Sequence, residues 1–281
     1  MVPHRRLPTA AFLLLLAAGR RAQGTATEQR RNDWPALGGE LVLTPLPHSY
    51  ITAADLPAVF SWADKGGRSW LTLTRNQNLP QYCSSGWAHA TTSALADRIQ
   101  IIQNASQPPM GPAPQVLLNC YGGGDCNGGD PGGVYVYAKQ HGIPDDTVQS
   151  YQAVEKRCEP HGIAEWCDYN LTAGCQPLGH HDQPPNGTLP PTPYPLYSVS
   201  EYGSVRGAEK MKAEILARGP IACGIALSPN FANYSGGAVL QLEAKAGAKL
   251  THEVSVVGWG VDTAGSGEAF WGVRNSYGSH W

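Results

Sequence analysis

Seven cysteines behind a hydrophobic leader constrain this chain more than any other feature. His4, Arg5 and Arg6 precede the apolar run Ala10 to Gly19, and Ala22-Gln23-Gly24 then offers the small residues of a cleavage site. Ten apolar residues rise only about 15 Å as a helix, half of a hydrocarbon core. Residues 1–24 therefore read as a secretory signal peptide, with no membrane span expected. In the oxidising compartment that follows, the cysteines at 83, 120, 126, 158, 167, 175 and 223 read as disulfide partners with one left over, and their pairing stays open at this point. A metal site built from Cys158, Cys167, Cys175, His180 and His181 is disfavoured, because it lacks the tight ligand spacing of zinc modules. Four Asn-X-Ser/Thr sequons, at Asn104, Asn170, Asn186 and Asn233, agree with passage through the secretory pathway and are expected to carry glycans.

Residues 25–55 show no clear periodicity and contain Arg30-Arg31, so they are expected to be a short pro-segment, with the folded body at 56–281. From Trp87 to Ile102 apolar and small residues recur at helical spacing with no breaker, which predicts a central helix. Shorter helices are expected over 114–119, 133–140 and 209–218, the last stopped by Gly219-Pro220. Short strands bounded by glycines are expected over 221–227, 254–257 and 270–274, and 183–196, with six prolines, as an exposed extended loop. Helices first and strands last argue an α+β architecture of two unlike halves. Lys plus Arg is 20 against Asp plus Glu 22, and no basic run interleaves with aromatics, so nucleic acid is a poor partner. No glycine-rich phosphate loop follows a strand, so no cofactor is expected.

Four segments then carry chemistry: Arg75-Asn-Gln-Asn-Leu-Pro-Gln-Tyr-Cys-Ser-Ser-Gly-Trp-Ala-His-Ala90, Gly123-Gly-Asp-Cys-Asn-Gly-Gly129, Thr251-His-Glu-Val254 with Gly258-Trp-Gly260, and Val273-Arg-Asn-Ser-Tyr-Gly278. Together, and in this order, they resemble the nucleophile, Cys-x-Gly-Gly, histidine and asparagine regions of papain-family cysteine peptidases. The resemblance implies a two-lobe fold with a helical N-terminal lobe and a β-rich C-terminal lobe, and proteolysis of peptide or protein substrates. It places the catalytic imidazole on His252, its orienting amide on Asn275 and an oxyanion donor on Gln77, with Asn78, Tyr82, Gly128 and Gly129 in substrate binding. It pairs Cys83 with Cys126, Cys120 with Cys158 and Cys167 with Cys175. The extra residues between Gln77 and Cys83 are similar to a carboxypeptidase branch of the family, in which a histidine at the place of Asn78 meets the substrate's terminal carboxylate. Family members also continue past the position of Trp281, so the C-terminal lobe is expected to be incomplete and Cys223 to lack its partner.

At the nucleophile position stands Gly86. Glycine supplies no thiol, and Ser85, turned about 100° around a helix, is off the line of His252. The chain is therefore expected to be a catalytically silent, monomeric member of the family, resident in lysosomes or secreted, whose cleft still accepts peptides or inhibitors. Two alternatives stay open: an active enzyme written with an error at 86, and a copy without function.

Overall fold

The computed structural model describes residues 40–105, 110–167, 174–178, 194–234, 236, 239, 240, 242, 249–263, 265 and 267–281. The expected signal peptide, the sequons at Asn170 and Asn186 and nearly all of the proline-rich loop lie outside the described residues. That loop's last residue belongs to a strand described below.

A two-residue strand β1 (Phe60–Ser61) opens the body and is followed by the long helix α1 (Gly86–Ile102). No proline interrupts α1, and its small side chains let other elements press on it from nearly every side: Gly86 to Asp97 are all buried. Thr91 and Thr92 are poor helix formers, yet their hydroxyls donate to the carbonyls of Trp87 (2.7 Å) and Ala88 (2.8 Å), so neither is left unpaired in this buried helix. Around α1 the helical lobe adds α2 (Pro114–Asn119), the hairpin pair β2 (Gly124–Asp125) and β3 (Gly128–Gly129), α3 (Pro131–Gln140), β4 (Ile143–Pro144), α4 (Pro160–Ile163), and the pair β5 (Glu165–Cys167) and β6 (Cys175–Pro177). Leu196, expected in the extended loop, instead forms β7 (Leu196–Tyr197), whose backbone pairs with β4. The lobe's core is Trp87, Leu117, Leu118, Val134 and Ile143. Trp87 has no exposed surface, and a Cβ at Gly129 would lie 2.5 Å from its Cδ2, so only glycine lets β3 rest on the indole. Disulfides Cys83–Cys126, Cys120–Cys158 and Cys167–Cys175 tie the loops of this lobe.

The second lobe comprises α5 (Ala208–Arg218), β8 (Ile221–Ile225), the short α6 (Pro229–Ala232), β9 (His252–Val261) and β10 (Ala269–Arg274). β9 is the spine of an antiparallel sheet, pairing with β8 through Cys223↔Val254, with β1 through Phe60↔Trp259 and with β10 through Trp271↔Trp259. It is longer than its apolar pattern predicts. Gly258 and Gly260 lie inside the strand rather than bounding it, because β1's backbone runs against Gly258 where a Cβ would collide with the Phe60 carbonyl. Trp62, Ile215, Phe231, Val254, Val256 and Trp259 form this lobe's core. Cys223 is free, and burial beside Glu253 pushes its thiol up to about 11.

Residues 40–55 lie on this lobe. Leu41 pairs with Tyr202, and Glu201 accepts the backbone N–H groups of Leu43 (2.7 Å) and Thr44 (2.8 Å) as well as the Thr44 hydroxyl. Arg218 donates to Thr44 Oγ1 and the Pro45 carbonyl, and Pro47 is buried.

The lobes are joined by a buried ion pair. Arg274, ending β10, donates to Asp97 of α1 at 2.6 Å, with both side chains at 2% exposure or less. Thr72 completes the knot: its N–H and hydroxyl reach Asp97 Oδ1, and its carbonyl accepts from Arg274. Burial alone pushes the Asp97 carboxyl up and the Arg274 guanidinium down, and their contact works against both shifts. Asp97→Ala would strand a buried guanidinium and should destabilise the protein by about 3–5 kcal/mol. Denaturant unfolding checks this; a loss below about 1 kcal/mol would show that the pair does not hold the lobes.

Candidate active site

Gly86 is the first residue of α1, with Ser85 at the N-cap position. The segment before it is fixed by the Cys83–Cys126 disulfide and by the Ser84 N–H on the Cys126 carbonyl at 2.8 Å. A Cβ at position 86 would lie 3.1 Å from His252 Nδ1 and Cε1 and 3.2 Å from Gln77 Oε1. A side chain there would thus stand between an imidazole from the β-rich lobe and a carboxamide, at the positive end of the α1 dipole.

His252 opens β9, and its Nε2 donates to Asn275 Oδ1 at 2.7 Å. The oxygen acceptor assigns the ring proton to Nε2, leaving the Nδ1 lone pair toward position 86. Asn275 follows Arg274 directly, so the interlobe ion pair fixes the amide that orients the ring. The same oxygen accepts the Ser276 N–H at 2.8 Å, while Asn275 Nδ2 is buried with no partner. Tyr277 and Phe231 cover the ring at centroid distances of 5.2 and 5.8 Å, and Trp281 packs on both. Burial under these rings lowers the His252 pKa below 6.5, with the Asn275 hydrogen bond acting in the opposite direction.

Gln77 is held at both ends of its amide. Ser276 Oγ donates to Oε1 at 2.6 Å, and Nε2 donates to the Cys83 carbonyl at 3.2 Å. One of the two Nε2 hydrogens is thus spent on backbone, and the second remains for an oxyanion. Tyr151, half-buried, fixes the same residue by donating to the Gln77 carbonyl at 2.7 Å. Asn78 is turned inward, its N–H on Asn76 Oδ1 at 2.9 Å and its own Oδ1 buried without a partner, while Tyr82 stands 77% exposed. Gly128 and Gly129 form β3, lying on Trp87 next in sequence to Gly86.

Ser85 faces away from His252. Its Oγ is fully buried, 2.6 Å from Tyr151 OH and 3.3 Å from His89 Nδ1, and burial pushes the His89 pKa down to about 3. The structure thus brings Gly86, His252, Asn275 and Gln77 together and keeps Ser85 apart. Sequence reading missed Tyr151 and Phe231, which support the site from separate segments with no periodic or motif signal of their own, and gave no role to Ser276, although it stands inside the Asn275 segment. The sequon asparagines Asn104 and Asn233 are described, and both are exposed.

The family model for papain family cysteine proteases matches residues 56–281. Cathepsin Z of Onchocerca volvulus is 39% identical over 227 residues, covering 81% of this chain and 68% of the relative. Cathepsin C of Schistosoma mansoni is 28% identical over 85% of this chain, which spans about half (49%) of that relative's length. Among solved structures, digestive procathepsin L2 proteinase of Tenebrio molitor superposes with a TM-score of 0.63 at 25% identity, covering 88% of this chain and 68% of that one.

The His252 environment has a direct readout. Its ring should titrate below 6.5 when followed by NMR, and Asn275→Ala should move the midpoint further down by removing the hydrogen bond that supports the charged form. A midpoint at or above 6.5 in the unaltered chain, or an upward move in the variant, contradicts this account of the ring.

Proposed function

Because this chain belongs to the papain family of cysteine proteases, we propose that it is a cathepsin Z-like member of carboxypeptidase type that accepts peptide in its cleft and does not cut it. The observation that carries this reading is Gly86, whose missing side chain would point at His252 Nδ1. In such a site the cysteine thiolate is stabilised by the helix N-terminus and by an adjacent imidazolium, attacks the scissile carbonyl and forms an acyl-enzyme. The imidazole passes its proton to the leaving amine, and hydrogen-bond donors hold the oxyanion.

Here His252 keeps the orientation for proton transfer and Asn275 keeps its tautomer, but no sulfur is present to make the acyl bond. In a comparable serine enzyme, loss of the nucleophile alone reduces turnover on the order of 10⁶-fold. Gln77 would serve an oxyanion through its second Nε2 hydrogen, the first holding the Cys83 carbonyl. Asn78, Tyr82, Gly128 and Gly129 are assigned to peptide binding. Asn78, being neutral, would hold a terminal carboxylate more weakly than a charged side chain.

Three disulfides suit an oxidising compartment, and the exposed Asn104 and Asn233 suit glycan addition. Among the described residues no helix is long and apolar enough to cross a membrane. The reading places the protein in the secretory pathway, in lysosomes or outside the cell.

The test is release of the C-terminal residue from a peptide under reducing, acidic conditions. The unaltered chain should release nothing above background. Gly86→Cys, whose Cβ requires the imidazole to yield only a few tenths of an ångström, should gain activity by at least about 10⁴-fold, and His252→Ala in that variant should abolish it. Release by the unaltered chain that disappears with His252→Ala would refute the claim of silence.

A further inference from the structure

A recess of about 330 Å³ opens on the helical lobe, a size at the low end of small-molecule sites. Leu79, Pro114 and Tyr151 give it apolar wall, and Arg75, Asp146 and His89 give it polar groups. It is separate from the cleft, for neither His252 nor Asn275 nor the Gly128-Gly129 strand lines it. The peptidase chemistry leaves His89 without a task. Its side chain has no exposed surface, and its Nε2 is buried with no partner among the described residues. Buried polar atoms are normally hydrogen-bonded, so this one calls for a guest. Nδ1 lies 3.1 Å from the Ser85 carbonyl, which can only accept, and this assigns the ring proton to Nδ1. With Nδ1 turned back on the start of α1, Nε2 is the polar edge of the ring left for the recess. Burial pushes the His89 pKa down to about 3, so the ring is neutral and Nε2 offers a lone pair.

We infer that this recess is a second binding site, which takes a small neutral aromatic molecule carrying one hydrogen-bond donor and seats that donor on His89 Nε2. The charges in the wall select for neutrality. Arg75 donates to Asp146 Oδ2 at 2.5 Å, so each already satisfies the other. An anion would meet the Nε2 lone pair and the Asp146 carboxylate, while a cation would meet the Arg75 guanidinium. A ring suits the walls, since the guanidinium plane and the Tyr151 ring both offer flat faces for stacking. The inference does not depend on whether peptide enters the cleft. The recess nonetheless borders the segment that carries Gln77: Arg75 and Leu79 lie two residues to either side of it, and Tyr151 holds its carbonyl.

The experiment titrates the unaltered chain, with its histidine ring nitrogens isotopically labelled, with phenol, anisole and benzoate at neutral pH. Phenol should move the His89 Nε2 resonance upfield, as a nitrogen that starts to accept a hydrogen bond does, and leave the His252 resonances in place. It should bind at least about fivefold more tightly than anisole, which keeps the ring and lacks the donor. Benzoate should bind no better than anisole. His89→Phe keeps a ring without the acceptor, and there phenol should lead anisole by less than about twofold. Equal binding of phenol and anisole, no binding of phenol, a preference that survives His89→Phe, or a response confined to His252 each overturns the inference. So does an Nε2 resonance that stands at the hydrogen-bonded position before any probe is added and ignores phenol, because a water then holds that atom. Should His89→Phe fail to fold, the contrast between phenol and anisole at His89 Nε2 of the unaltered chain decides alone.

Discussion

The Asp97–Arg274 contact is the joint on which this architecture depends. One carboxylate on the central helix and one guanidinium at the end of the last strand are both removed from water, and each keeps the other charged. Because Asn275 is the next residue and His252 leans on its side chain, the same contact that binds the lobes also sets where the imidazole meets the start of α1. A buried pair of this kind is not a strong source of net stability compared with apolar packing. Its value here is positional: it admits one relative placement of helix and strand, and the site inherits that placement.

Residue pattern and structure agree best where the signal is local. The uninterrupted run after Gly86 gave the central helix almost to the residue, and the order of helices and strands gave the α+β class. The strand around His252 was underestimated, because glycines that look like boundaries turned out to be clearances for a crossing backbone at Gly258. The four motif segments led to Gly86, His252, Asn275 and Gln77, whose meeting depends on contacts between distant parts of the chain. Tyr151 and Phe231 carry no local pattern, since what makes them important is where the fold brings them, while Ser276 sits in the Asn275 segment and only the fold shows its hold on Gln77.

Around position 86 most of the surroundings of a nucleophile are kept without the nucleophile. The imidazole is oriented and shielded by Tyr277 and Phe231, and that shielding disfavours its charged form. With no negative sulfur beside it, the Asn275 hydrogen bond is what opposes the desolvation of an imidazolium, and burial outweighs it. The space is also small: the groups that would flank a side chain stand slightly closer than normal contact, so a Cβ there requires a neighbour to give by a few tenths of an ångström. Ser85, though adjacent, is committed to Tyr151 and His89 beneath the helix.

The clasp of residues 40–55 on the second lobe bears on how this chain behaves in acid. Hydrogen bonds from Thr44 and Leu43 hold the Glu201 carboxyl down to about 2, far below the interior of any acidic vesicle. Glu201 is then still an anion at pH 4 to 5, and its grip on the backbone of Leu43 and Thr44 does not loosen by protonation. Acid of that strength therefore leaves this one contact between the segment and the second lobe unchanged.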